Sequence, residues 1–220
     1  MVLKLYGDNI SNLALRVAHV LTDKQVPFEY IKVDMIAGKH KSPEHAQRHP
    51  FGQIPYIDDD GLVLYESRAI CKYIATKWRD QGVQLIPDPN DLEANALFDQ
   101  ALSIEQNNFE PITLNIMLEL KYKPLRGEKT DEKFVESLIA KLEVKLNGYE
   151  TILSKQKYLA GENLTLADIY HLAWGAVLID ELGVNSTIDE KRPHVARWFK
   201  NLSSLPGWLA VKNGLPYQEV

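Results

Sequence analysis

Residues 49–75 read HPFGQIPYIDDDGLVLYESRAICKYIA. Within it, Gln53-Ile54-Pro55-Tyr56-Ile57 alternates as a half-buried strand does, yet Pro55 stands inside the run and proline donates nothing to a sheet ladder. Two short strands, 54–57 and 62–65, flank Asp58-Asp59-Asp60-Gly61, a turn signal suited to a tight hairpin. A helix then opens at Glu66-Ser67 and carries Ile70, Cys71 and Ile74 on one stripe. The stretch spells strand, turn, strand, helix, with a proline at its entrance.

Upstream, residues 2–6 alternate and end at Gly7, while Leu13, Ala14, Val17, Val20 and Leu21 recur at helical spacing. Residues 28–33 alternate strictly, so a second strand returns after a helix as in a βαβ unit. A polar loop, 35–41, follows. The first eighty residues therefore read βαβ then ββα. Residues 81–89 have neither period and carry Pro87 and Pro89, which marks a linker. From Asn90 on, amphipathic helical patterns dominate: 92–120 with a kink at Pro111, 131–153, 165–182 and 193–202. The expected organisation is an α/β domain over 1–80, a linker over 81–89 and an all-helical domain over 90–220. No internal repeat interrupts it.

The composition of the 220 residues, 45% apolar and 25% charged, is that of a globular protein. A net charge of −5 and a pI near 5.7 supply no field for gathering nucleic acid or anionic lipid, so neither partner is expected. One cysteine allows no internal disulfide and no CxxC pair. MVLKLYGDN lacks a basic lead with an apolar core behind it, and no run of 18 apolar residues occurs, so a cytoplasmic protein is expected.

Several groups carry potential chemistry. Glu66-Ser67 at a helix start brings free N–H groups, the positive end of the helix dipole and a hydroxyl to one place, a cradle for a carboxylate, and Glu66 can receive an ammonium. The plainer reading is a serine N-cap. His40-Lys41 can offer cationic donors to a second carboxylate, although an isolated basic pair is commonly solvated surface. His45 and His49 stand four apart, but with His40 they give no third ligand at convincing spacing, so no metal is expected. Cys71 lies on the apolar stripe of its helix and reads as a packed thiol. Thr165-Leu166-Ala167-Asp168 is a capping-box start, structural in role.

The βαβ-ββα layout with a proline at the start of the third strand resembles the thioredoxin fold, in which that proline bond is cis. A cis Ile54-Pro55 bond turns the amide groups of Ile54 away from the sheet, where an extended peptide can pair with them. A trans proline at a strand's first residue is the other reading. An amino-acid head, a backbone middle and a carboxylate tail outline glutathione. The whole chain, from Val2 past Trp208, resembles the cytosolic glutathione transferases. It looks most like their phi class, through GKHKSPEH (38–45), HPFGQIPYI (49–57), LYESRAICKYIA (64–75) and YLAGENLTLADI (158–169).

That resemblance implies a thioredoxin-like amino-terminal domain that holds glutathione as co-substrate through His40, Lys41, Gln53, Ile54, Pro55, Glu66 and Ser67, without a metal. It implies a cytosolic homodimer, with the helical domain completing a site for small hydrophobic electrophiles. The activating group in phi-like members is a serine at the start of the first helix, here Ser11. A hydroxyl donor there can stabilise a thiolate, and it can equally be a simple cap. Many phi sequences carry Ser-Thr there and a basic pair before the valine, whereas this chain has Ser11-Asn12 and Leu15-Arg16. Asn12 can assist the thiolate or line the electrophile pocket. Tyr6 competes as a hydroxyl, since other classes use a tyrosine at the end of the first strand, but its place in the alternating pattern suits a packed residue. The pocket is expected to draw on Ile10, Asn12, Leu13, Met35, Phe109 and Met117. Conjugation of glutathione is the expected reaction, with hydroperoxide reduction by the same thiolate beside it. A carrier of apolar ligands without catalysis is the alternative, and a fold relative serving regulation or assembly a third.

Overall fold

The structure is a computed structural model that describes residues 2–218. Four strands form one sheet in the order β2-β1-β3-β4, from β1 (Leu3–Gly7), β2 (Phe28–Lys32), β3 (Tyr56–Asp59) and β4 (Leu62–Tyr65). β1 runs parallel to β2 and antiparallel to β3, and β3 pairs antiparallel with β4. Leu3 and Leu5 face the core while Lys4 and Tyr6 take the other side, the alternation that a strand imposes. The hairpin is tighter than the four acidic and glycine positions suggested. Its loop is Asp60-Gly61 alone, both at positive φ (55° and 91°), and the Asp58 carboxylate accepts the Gly61 N–H at 2.8 Å.

Helix α1 (Asn12–Asp23) joins β1 to β2, and α3 (Ser67–Lys77) follows β4. Ala14, Val17, Ala18, Val20 and Leu21 of α1 are wholly buried, because α1 packs on α3 and also on α10 (Pro206–Val211). The α1–α10 contact is close: a Cβ at Gly207 would sit 1.9 Å from Asp23 Oδ1. Between β2 and β3 the polar loop holds a 3₁₀ turn, Lys39–Lys41, and a short helix, α2 (Pro43–Arg48). Ser42 caps α2 by accepting the His45 N–H, and Pro43 occupies its first turn.

The chain divides into two compact units, the first running to Ile86 and regaining the segment from Leu205 on, the second covering Pro87–Ser204. Residues from 205, grouped with the helical domain in the sequence reading, thus belong with the first unit. Val83 bonds to the Asp23 carbonyl and Gln81 to that of Lys24, so the front of the linker is fixed to the first unit.

The second unit contains α4 (Leu92–Asn108), α5 (Glu110–Met117), a π turn at Leu118–Tyr122, α6 (Lys123–Leu125), α7 (Glu132–Leu153), α8 (Leu166–Asp180) and α9 (Pro193–Ser203). The expected kink at Pro111 is a break at Phe109, and Pro111 stands in the first turn of α5, where its missing N–H leaves nothing unpaired. Val135, Leu138, Leu142, Leu146, Tyr149 and Leu153 make the buried stripe of α7. Helix α8 is buried from Leu166 to Leu178, and Phe109, Tyr149, His171 and Trp198 close around it as one aromatic cluster.

Candidate active site

Ser11 is the N-cap of α1, in extended conformation, with its oxygen accepting the Ala14 N–H at 3.3 Å. That bond uses a lone pair and leaves the hydroxyl proton available to a ligand. The side chain is buried at the positive end of a twelve-residue helix, where a donor acts on an anion with little competition from water. Asn12 follows at 5% exposure, and its Nδ2 has no hydrogen-bond partner, a second donor one residue on.

Ser67 opens α3, and Glu66 before it has φ 70° and ψ 106°. A non-glycine residue there is strained by about 1 to 3 kcal/mol, a cost that folds accept mostly at functional sites. The Glu66 side chain makes no cap bond to α3, and the positive end of the helix dipole lies at Ser67. Ser67 Oγ accepts from Arg16 Nη1 at 3.2 Å, which leaves the Ser67 proton to donate outward. Arg16, 1% exposed, was not among the expected site residues. Its four-residue spacing from Asn12 gives no sign of a partner 51 positions away.

Lys41 Nζ donates to the Gly52 carbonyl at 2.7 Å, which ties the 3₁₀ turn to the segment before β3. His40 is half-buried with Nδ1 unpartnered, and burial first, then the charges of Lys41 and His45, hold its imidazole below the ordinary histidine value. It therefore enters as a neutral ring at pH 7, and Lys41 brings the charge of the pair. His45 Nε2 bonds to the Gln53 carbonyl at 2.7 Å, so this histidine supports the Gln53 backbone. The Ile54–Pro55 bond is cis. The β3 ladder begins at Tyr56, opposite Tyr6, which leaves Ile54 just outside the sheet.

Ser11, Asn12, Arg16, Ser67 and the 40–54 segment all belong to the first unit, where Arg16 bonds Ser67, and Ile10, Leu13 and Met35 are only partly buried. Phe109 and Met117, expected in the electrophile pocket, are fully buried in the second unit. The Phe109 ring lies 4.6 Å from that of His171 at a tilt of 53° in the aromatic cluster. Tyr6 stacks flat on Tyr56 at 4.3 Å and points to the sheet face under α2, where the two line a groove of about 510 Å³ with His45 and Arg48. That is the face opposite Leu5, which packs toward α1. Burial pushes the Cys71 thiol up to about 12, as for an inert core thiol. Among the described residues no cluster of His, Cys, Asp and Glu is arranged to hold a metal, and no helix is long and apolar enough to cross a membrane.

Residues 1–76 match the family described as Glutathione S-transferase, N-terminal domain, and residues 110–206 its C-terminal domain. Glutathione S-transferase PM239X14 of Arabidopsis thaliana is 39% identical over 95% of each chain. The crystal structure of glutathione transferase F7 from Populus trichocarpa superposes with a TM-score of 0.90 at 37% identity, covering 95% of this chain and 97% of that one. Glutathione S-transferase I from mais, in complex with an atrazine glutathione conjugate, gives a TM-score of 0.86 at 34% identity over 96% of each chain.

Proposed function

The chain belongs to the glutathione S-transferase family, in its phi class, and from that premise we propose that Ser11 stabilises the thiolate of bound glutathione for attack on small hydrophobic electrophiles. Glutathione is the co-substrate of the family. The observation that carries the reading is the Ser11 hydroxyl, which is buried at the α1 terminus and spends its lone pair on Ala14, with its proton still to give. Asn12 Nδ2 supplies a second donor to the same sulfur.

The rest of the ligand follows from the donors around it. The start of α3 with the Ser67 hydroxyl takes the carboxylate of the amino-acid head, and Glu66 takes its ammonium. The backbone of Ile54 pairs with the middle of the peptide, with Gln53 and Pro55 flanking it. Lys41 and neutral His40 meet the distal carboxylate. The electrophile lies against Ile10, Leu13 and Met35, and the atrazine conjugate of the mais relative supports a small organic molecule joined to glutathione.

In the reaction the sulfur forms the new bond and the leaving group departs with its electron pair, so no group on the protein is modified. Reduction of an organic hydroperoxide to its alcohol uses the same thiolate, with a second glutathione closing the disulfide and water released. The working form is a cytoplasmic homodimer. Turnover of glutathione with a generic aromatic halide tests the proposal: saturable conjugation by the purified protein supports it. Tight binding of apolar ligands with no turnover at any pH would replace it with a carrier role.

A further inference from the structure

The turn before Ser11 lies outside α1 and is closed locally by the Ser11 N–H to the Asp8 carbonyl at 2.9 Å, and its side chains bond to residues distant in the chain. The Asp8 carboxylate, 5% exposed, accepts the Ile10 N–H at 3.3 Å, the Met35 N–H at 3.1 Å and the Tyr217 hydroxyl at 3.1 Å. The Tyr217 oxygen in turn accepts the Asn9 N–H at 2.9 Å. Asn9 grips Leu215 from both sides, donating through Nδ2 to its carbonyl and accepting its N–H at Oδ1, each at 3.0 Å. Gly214 has φ 89°, and a Cβ there would meet Asn9 Cγ at 2.7 Å, so only glycine lets the segment lie this close.

The far end is tied to the sheet edge. The Tyr217 ring stacks on Tyr30 of β2 at 5.2 Å, and the Gln218 N–H donates to the Tyr30 carbonyl at 2.8 Å, beside a parallel bridge to Ile31. Burial, and the Asp8 carboxylate against it, hold the Tyr217 hydroxyl above the ordinary tyrosine value, although the Asn9 N–H pulls the other way. The hydroxyl is therefore protonated at neutral pH and can donate to Asp8 while accepting from Asn9.

We propose that residues 214–218 form a positioning strap for Ser11: Tyr217 and Asn9 hold the turn 8–10 in the geometry that aims the cap hydroxyl, so thiolate stabilisation depends on a segment some 200 residues away in the chain. The proposal rests on the reading of Ser11 as the thiolate donor. Tyr217 is a positioning residue, acting on the sulfur through the turn. With a packing role alone, its hydroxyl would affect melting and leave the thiol's titration untouched.

Tyr217→Phe keeps the ring stack and removes both hydroxyl bonds. Ultraviolet titration of the glutathione thiolate in the binary complex should then move up by about half a unit to one unit. Over the same change kcat should fall about three- to tenfold, with KM for glutathione changed by less than about twofold. Asn9→Ala, which releases Leu215 and leaves Tyr217 intact, should shift the titration in the same direction. Gln218→Ala, whose contact is through the backbone, should titrate as the parent protein does. Adding Tyr217→Phe to Ser11→Ala should shift the titration no further, since the strap acts through the serine. If Ser11→Ala itself leaves the titration unmoved, the serine reading fails and takes the strap's route with it. If Ser11→Ala shifts it while Tyr217→Phe and Asn9→Ala do not, or if the shifts add in the double variant, the strap proposal alone is overturned.

Discussion

At the scale of single residues the proposed chemistry turns on Ser11. A free thiol with a pKa near 8.5 is only a few per cent ionised at neutral pH, so glutathione needs help to attack. If the cap hydroxyl and the helix terminus lower it by about two units, they contribute roughly 2.7 kcal/mol of differential stabilisation. Ser11→Ala should reduce turnover about tenfold to a hundredfold and raise the pH at which the thiolate absorbance appears, with a smaller change in glutathione affinity. Tyr6→Phe, on the sheet face under α2, should leave both unaltered. The reverse pattern would move the protein to the tyrosine-dependent mode. Glu66 offers a second check, because its backbone is strained while its carboxylate is the group proposed to receive the ligand's ammonium. Glu66→Gly should keep or raise the melting temperature and raise KM for glutathione by about tenfold, a trade of binding for comfort. The places of Ser11, Glu66 and Ser67 at helix starts were legible because each stands in a short, specific string. Arg16 was not, since its partner Ser67 is brought to it only by the packing of α1 on α3.

At the scale of elements, periodicity exposed the long pieces and missed those held by distant contacts. α1, β2 and α7 follow from spacing alone, whereas α2 and α10, six residues each, are too short to show a period and are fixed by a cap and by α1. The capping box of α8 was visible as Thr165 and Asp168, but its reach was not. Asp168 also accepts the Leu159 N–H at 2.9 Å and the Trp198 indole N–H at 3.0 Å, so it fastens α8 to the preceding loop and to α9. Burial pushes its carboxyl up while these bonds pull it down. Asp168→Ala leaves several buried donors unpaired and should lower stability by about 3 to 5 kcal/mol in urea titrations, with the folded fraction keeping its turnover. A variant of native stability and no activity would make Asp168 a catalytic group instead. Glu150 supplies the pH dependence. Burial raises its carboxyl, but the Val195 N–H and the His194 ring and N–H outweigh it, and the net position is below the ordinary value. A folded value under the unfolded one gives stability that is present above about pH 4.3 and lost as pH falls through the folded value. Glu150→Gln should flatten that acid limb of the unfolding profile, and an unchanged limb would remove Glu150 from the account.

At the scale of the whole molecule, the sequence changes from strand alternation to helical stripes across the linker read at 81–89, while the structure's first unit runs to Ile86 and regains the residues from 205. That return depends on glycine at 207 and 214 and on Asn9 and Tyr217, contacts between chain ends that no local pattern encodes. A net charge of −5 means that copies of the chain repel one another, so a proposed homodimer would rest on apolar groups. The first unit presents one: Phe51 is 66% exposed, edge-on to His49 at 6.3 Å and Tyr65 at 6.2 Å, in the loop that also carries Gly52 and Gln53. An aromatic ring held rigid by two others and left in water is the kind of anchor that a two-fold interface buries twice, once in each copy. A truncation worth about 2 kcal/mol per copy would therefore weaken the dimer by about 4 kcal/mol, close to a thousandfold. Sedimentation of the parent protein at micromolar concentration should give a dimer, and Phe51→Ala should give monomer at the same concentration with its melting transition intact but at lower temperature. A monomeric parent would end the homodimer proposal. A dimeric Phe51→Ala with unchanged dissociation on dilution would place the anchor elsewhere on the first unit or on the second.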